Sequence, residues 1–283
     1  MYGIALRFIV LFLLNATPVL AADTAPLPLV LAVHPYLSSN EIFQRFTPLA
    51  TYLGKVTGRQ VVIRIGRNYD EHIEAIGTDS VDIAFIGPAP YAIMVSKYGQ
   101  KPLLARIAPN GKPVLDGVII TRQDSPLRSV DDLRGKRFAF GDVDSTMATL
   151  VPQYFMLKAG LPKTALASYE HLSSHKNVAF GVLTGDYDAG AVKGEVFEEF
   201  KSRGLRILAT LPTVPEHLFI TRSGMPPEQI QVLRKALLTL KNEPDGLAIM
   251  QAIHKDMTEM SPVANEDYQD LRSMLTLLGI IRR

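Results

Sequence analysis

Two rhythms of apolar and polar residues alternate along the chain. Short apolar or β-branched runs give way to stretches in which apolar residues recur every three or four positions, the signature of strand followed by amphipathic helix. Leu27–Val33 (LPLVLAV) is a buried strand between Pro26 and Pro35. Ser38-Ser39-Asn40-Glu41 then opens a helix as a capping box, with Ile42, Phe46, Leu49, Tyr52 and Leu53 at helical spacing and Gly54 as its stop. Val61–Ile65 reads as a strand, Asp70–Ile76 as a short helix, and Val81–Ile86 as a strand that runs into Gly87-Pro88, a helix start with proline near its first position.

The second half repeats the scheme. Arg137–Phe140 is a strand, Ser145–Ala159 a helix stopped by Gly160 and Pro162, Tyr169–Leu183 a strand–turn–helix, and Tyr187–Val192 and Leu205–Ala209 are strands. Beyond Pro226 the pattern is helical over Glu228–Leu240, Leu247–Ile253 and Tyr268–Leu278. Strands separated by helices of this length predict an α/β protein with parallel sheets. Two echoes suggest a doubled architecture. His72–Ile83 and His175–Ala189 each run helix, turn, strand with an Asp at the strand, and Gly117–Pro126 (GVIITRQDSP) matches His217–Pro226 (HLFITRSGMP). Two lobes built alike, with the second inserted into the first and two crossing strands between them, would form a hinged clamp.

Composition narrows the class. Of 283 residues, 47% are hydrophobic and 20% charged, with 30 Lys and Arg against 28 Asp and Glu, so the chain is globular and nearly neutral. Its basic residues are scattered, so no nucleic-acid footprint is expected. The absence of cysteine removes disulfides, thiolate metal sites, a cysteine nucleophile and a lipoprotein anchor. The histidines show no metal-ligand spacing, and no metal or cofactor is expected. At the N-terminus a basic start with Arg7, the run Phe8–Leu14 and the small residues before Ala22 predict a secretory signal cut after Ala21, because the run is shorter than the roughly 20 residues of a membrane span.

One segment carries chemistry. Gly141-Asp142-Val143-Asp144-Ser145-Thr146-Met147 follows a strand and opens a helix, where unpaired N–H groups and the positive helix end suit an anion and two hydroxyls add donors. An ordinary N-cap by Asp144 or Ser145 accounts for the same residues. Tyr36, Ser38 and Ser39 form a second nest of this kind, with capping as the competing reading.

With GDVDSTMATLVPQYF, three other stretches occur in a recognisable order: VDIAFIGPAPY before it, then SSHKNVAFGVLTGDYDAGAV and LPTVPEHLFITR. Together they resemble the periplasmic phosphate/phosphite/phosphonate-binding proteins of ABC transporters, from about Leu29 to the last helices. The resemblance implies a two-lobed type II periplasmic-binding-protein fold, each lobe a mainly parallel sheet flanked by helices and joined by two hinge strands. It implies a signal at 1–21, a first lobe begun at 22–121, a second lobe at 122–213, and a return strand with helices at 214–283 that completes the first. A small oxyanion would close between the lobes and pass to an inner-membrane permease, with the protein a periplasmic monomer. Residue by residue, it implies ligand contacts from Tyr69, from the Ser145–Thr146 pair, from His175 and from the backbone near Gly87. Glu195 falls where aminoalkylphosphonate binders place a carboxylate. The departures are Ile86 in place of a ligand-contacting tyrosine, Val143 for a proline, Met147 for a second serine, and His217 for an aspartate. The two apolar replacements, Ile86 and Met147, point to a less polar pocket.

Other readings stay open. Asp82 and Asp188 are expected to bond loop N–H groups. His34 and His72 read as structural. A ligand sensor partnered with a histidine kinase would share the fold. A periplasmic hydrolase lacks support, because no Gly-x-Ser-x-Gly, Walker A or His-Glu-x-x-His motif occurs.

Overall fold

The computed structural model describes residues 26–282, so the expected signal and its cut after Ala21 lie outside the described residues. The chain begins β1 (Leu29–Val33), α1 (Ser39–Thr57), β2 (Val61–Ile65), α2 (Tyr69–Gly77), β3 (Ile83–Ile86), α3 (Pro88–Tyr98) and β4 (Leu103–Pro109). A two-residue strand, β5 (Val114–Leu115), leads to β6 (Gly117–Arg122), β7 (Arg137–Phe140), α4 (Val151–Lys158), β8 (Ser168–His171), α5 (His175–Leu183), β9 (Ala189–Lys193), α6 (Gly194–Phe200) and β10 (Leu205–Thr210). A second short strand, β11 (Val214–Pro215), leads back to β12 (Leu218–Thr221), α7 (Pro227–Thr239), α8 (Gly246–Ile253), β13 (Met257–Ser261) and α9 (Gln269–Leu277).

These strands build two main sheets, β13-β4-β12-β3-β1-β2 and β10-β6-β9-β7-β8, with β5 and β11 paired antiparallel as a separate ribbon. The chain therefore crosses between the sheets twice, side by side. The parallel cores are β2-β1-β3 and β8-β7-β9, where the alternating sequence pattern expects them. Antiparallel strands extend each core, so both sheets are mixed.

The strand order moves the first crossing. A boundary between 121 and 122 falls at the end of β6, yet β6 lies inside the second sheet against β9 and β10. The crossing is earlier, at β5. The two Ile-Thr-Arg segments are not the crossing strands but counterparts: β12 lies antiparallel to β3 in one sheet, and β6 lies antiparallel to β9 in the other.

The doubling extends to single residues. Asn68 and Ser174 are N-caps whose side chains accept the Glu71 and Asn177 N–H groups. Tyr69 and His175 are the first helical residues after them, and Gly87 and Lys193 cap the next helices. Asp82 accepts the Val30 N–H at 2.9 Å and pairs with Arg222, while Asp188 accepts the Arg137 N–H at 2.8 Å and pairs with the Arg137 side chain. Each pair keeps the same spacing along the chain. The aspartates thus make structural bonds, but to strand N–H groups in β1 and β7 and not to the loop N–H groups expected, and they fasten those strands.

Candidate functional site

The C-terminal ends of the parallel strands face one another, the position where open α/β sheets bind ligands. There a small inner chamber of about 10 Å³ is lined by Tyr69, Gly87, Ser145, Thr146, Met147 and His175, together with His34, Tyr36, Leu115, Lys193 and His217. An outer cavity of about 430 Å³ adjoins it and shares Tyr36, Leu115, Lys193 and His217.

The second sheet supplies the helix start that the sequence singles out. β7 is followed by Gly141, whose N–H donates to the Ala148 carbonyl at 3.0 Å. That carbonyl is free because Pro152, four residues on, has no N–H to return to it. The helix therefore starts as a wide π turn over Thr146–Leu150, in which the Leu150 N–H reaches the Ser145 carbonyl at 3.0 Å, before α4 continues it. A regular helix from Ser145 is the sequence expectation, and proline chemistry overrides it. Ser145 is the N-cap, with Oγ accepting the Ala148 N–H at 3.3 Å. The Thr146 and Met147 N–H groups are left without helical partners and point out of the helix start. Capping and anion binding are thus compatible here.

His175 adds a donor of fixed identity. The Lys193 backbone N–H donates to its Nδ1 at 3.1 Å, so in the neutral ring the proton sits on Nε2, 3.5 Å from Ser145 Oγ. Burial, with Lys193 and His217 nearby, holds its pKa down to about 3, so the ring is a neutral N–H donor. Tyr69 is buried opposite, and burial beside Asp142 pushes its hydroxyl well above the usual tyrosine range, so it too keeps its proton.

The first sheet offers fewer backbone donors than its helix start suggests. Pro88 and Pro90 have no N–H, and the Ala89 N–H donates across the cleft to Thr146 Oγ1 at 3.0 Å. Gly87 lies beside the His217 ring, where an added Cβ would meet Nε2 at an ordinary contact distance of 3.5 Å. Other ties cross the cleft: Arg45 to Glu195 at 3.0 Å, Lys176 to Glu41 at 2.7 Å, and the Lys193 ammonium over the Tyr36 ring at 4.5 Å.

Three expected contacts sit elsewhere. Ile86 is fully buried in the core cluster with Ala32 and Ala84, away from the chamber. Strand alternation explains this: Phe85, one residue earlier, faces the cleft side and stacks on His217 with centroids 5.2 Å apart. Ser38 is spent as the N-cap of α1, its hydroxyl bonded to Glu41, and it lies outside the chamber. Glu195 lines the outer cavity only, and its carboxylate is already paired with Lys193 at 2.6 Å and with Arg45. Burial raises its pKa, but Lys193, His254 and Arg45 together hold it well below the usual carboxylate range. Met147 lines the chamber and backs onto Gly117, where an added Cβ would lie 2.9 Å from its sulfur.

Residue chemistry missed His34 and Lys193. Both stand at strand C-terminal ends, β1 and β9, and that position is the signal that finds them. His34 stacks on His217 at 5.0 Å and packs edge-on against Tyr69 at 5.3 Å. His217 donates through Nδ1 to Glu216 at 2.5 Å. Among the described residues, no group of three or more His, Asp or Glu has a metal-holding arrangement, and no helix is long and apolar enough to cross a membrane.

Known proteins share this architecture. The chain is 24% identical to the phosphate-import protein PhnD of Mycolicibacterium smegmatis, over 91% of this chain and 88% of that one. A binding protein of an ABC phosphonate transporter from Pseudomonas aeruginosa superposes with a TM-score of 0.80 at 21% identity, covering 89% of this chain and 87% of that one. PhnD1 of Prochlorococcus marinus, solved with methylphosphonate, superposes with a TM-score of 0.82 at 17% identity, covering 90% and 99%. The model of the phosphonate-binding family matches residues 31–268, nearly all of both sheets. The chain belongs to the family of periplasmic substrate-binding proteins of phosphonate ABC transporters.

Proposed function

We propose that the inner chamber captures a small phosphorus oxyanion (phosphonate, phosphite or phosphate) and that the protein presents it to an ABC permease. One observation carries the reading: the Ser145–Thr146 helix start and the His175 Nε2–H converge in one buried chamber with Tyr69 and Lys193. Backbone N–H groups, hydroxyls and a buried ammonium are the donors an oxyanion needs. At about 10 Å³ the chamber is close to the volume of one water, so a ligand head enters by the sheets moving apart. The β5–β11 ribbon, the only place where the chain passes between the sheets among the described residues, is the hinge. Ligand contacts from both sides then favour the closed arrangement, because only that arrangement makes both sets.

Lys193 and Arg45 already neutralise Glu195, so the amine of 2-aminoethylphosphonate finds no free carboxylate there, and small ligands without an amine are preferred. The protein works as a monomer that binds without turnover, after a signal cut following Ala21.

A thermal-shift and calorimetric panel of phosphate, phosphite, methylphosphonate, 2-aminoethylphosphonate and sulfate tests this. A true ligand at a hundred times its dissociation constant stabilises the fold by about 2.7 kcal/mol. One-to-one binding of a phosphorus oxyanion with no product formed is the expected result. Silence for every phosphorus compound overturns the reading.

A further inference from the structure

We propose that His34 reads a proton on the ligand: its Nε2 is a hydrogen-bond acceptor in the inner chamber, so the site selects oxyanions that still carry a P–O–H group. This rests on the phosphorus-oxyanion reading and adds the protonation state and the rejected class, fully ionised oxyanions of the same shape.

The Phe85 carbonyl lies 3.3 Å from His34 Nδ1. A carbonyl only accepts, so Nδ1 carries the hydrogen and a neutral ring has its lone pair on Nε2. Among the described residues, no group hydrogen-bonds to that nitrogen, and the residue lines the chamber. The bond from Nδ1 to the Phe85 carbonyl sets which way the ring faces, and stacking on His217 and the tilted contact with Tyr36, centroids 4.7 Å apart, hold its plane. Burial, with His217 and His72 beside it, holds the pKa of His34 well below 6.5, so it remains an acceptor at neutral pH. The chamber thus sets one fixed acceptor among the donors Ser145, Thr146 and His175. A P–O–H satisfies it. An ionised oxygen in the same place brings one lone pair against another, and a buried acceptor without a donor rejects that ligand.

The other titratable groups around His34 are accounted for. Burial holds His72 and His175 down to about 3 and pushes Tyr36 and Tyr69 up, so all four stay neutral near and moderately above pH 7. Lys193 on β9 is the nearby cation, its ammonium lying over the neighbouring Tyr36 ring, and His217, paired with Glu216, stacks on His34 from the segment before β12. Because His217 also borders the chamber, it needs its own control.

Methylphosphonate and methanesulfonate make the test, since they share shape and, in weak acid, a single negative charge, but only the phosphonate carries a proton. Titration calorimetry is run on the purified protein at about pH 6 and about pH 8.5, where methylphosphonate is mainly singly and mainly doubly charged, because an alkylphosphonate keeps its second proton to higher pH than a phosphate monoester, which loses it at about pH 6. The expected result is methylphosphonate at least tenfold tighter than methanesulfonate at the lower pH, and at least tenfold weaker at the higher pH. His34→Asn loses both differences. Equal binding of the two ligands, or phosphonate binding that holds or tightens as pH rises, overturns the proposal and leaves the oxyanion reading standing. So does a pH dependence that survives His34→Asn and vanishes in His217→Asn. If no phosphorus oxyanion binds at either pH, both readings fall. Should His34→Asn not fold, the two-ligand comparison on the unaltered protein decides alone.

Discussion

At the scale of single residues, parity and pairing decided which side chains reach the cleft. Ile86 and Phe85 differ by one position, yet Ile86 packs into one core cluster, whereas Phe85 packs into the other and lies under His217. Composition carries no such parity, whereas strand register does. Thr146 was legible from its motif, and the structure adds that its hydroxyl accepts the buried Ala89 N–H from the opposite sheet. Thr146→Ala therefore removes a donor toward the ligand and strands an N–H in the closed arrangement. An unmade bond to a charged group costs about 1.5–3 kcal/mol, so oxyanion affinity is expected to fall at least tenfold with circular dichroism unchanged. Thr146→Ser, which keeps the hydroxyl, is expected to stay within a few-fold. Calorimetry on both variants checks this, and equal affinity for all three proteins would remove the threonine from the site.

At the scale of elements, the strands that carry strong local signals were legible and the ones that depend on their neighbours were not. β1, β2, β3, β7 and β9 are rich in Val, Ile, Phe and Ala and are bounded by turns. β13 (MTEMS) is an edge strand with a polar face, and its residues form a strand only because β4 offers a partner. β5 and β11 are two residues each and pair only with one another, across about a hundred positions of chain, so no local window contains their cause. The π turn before α4 has a local cause, Pro152, but its effect appears three-dimensionally, as the Gly141 N–H filling the vacated Ala148 carbonyl. That closure requires glycine, because a Cβ at position 141 would lie 2.5 Å from the Ala148 Cβ. Gly141→Ala is expected to cost about 1–3 kcal/mol in urea unfolding, the usual range for overpacking, and to weaken ligand binding by displacing the Ser145 helix start. Adding Ala148→Gly relieves the clash and restores part of the affinity. A single Gly141→Ala variant as stable and as tight-binding as the parent would show that the helix start tolerates displacement.

At the scale of the whole molecule, the cleft is built on buried histidines held neutral, and this sets how the protein responds to acid. Burial is the leading cause at each: it holds His72 and His175 down to about 3, His34 well below 6.5, and His254 below 6.5 by a smaller margin, against the pull of Glu195. Unfolding exposes the rings, which then protonate with an ordinary pKa near 6.5. Below that value the unfolded chain binds more protons than the folded one, so stability is full above about pH 6.5 and falls as pH drops beneath it. The depressed carboxylates act in the same direction but later. Glu41, Glu195 and Glu216 ionise more readily when folded, so their contribution is present above their unfolded value of 4.5 and is lost only as pH falls below it. Two acid windows therefore follow, histidine first and carboxylate second. With an unfolded value near 6.5, each such histidine costs about 1 kcal/mol between pH 6.5 and 5.5, so His72 and His175 together account for about 2 kcal/mol. For a chain of this size that lowers the melting temperature by about 4–8 °C. Melting curves of the ligand-free protein at pH 7.5, 6.5 and 5.5 are expected to shift slightly between the first two values and drop further at the third. His72→Asn, which removes one titrating ring whose Nε2 has no hydrogen-bond partner, should make that drop smaller. A melting temperature that holds steady down to pH 5 would mean that these rings bind protons equally well folded and unfolded, and the neutral, tautomer-fixed donors and acceptor of the cleft would have to be abandoned with it.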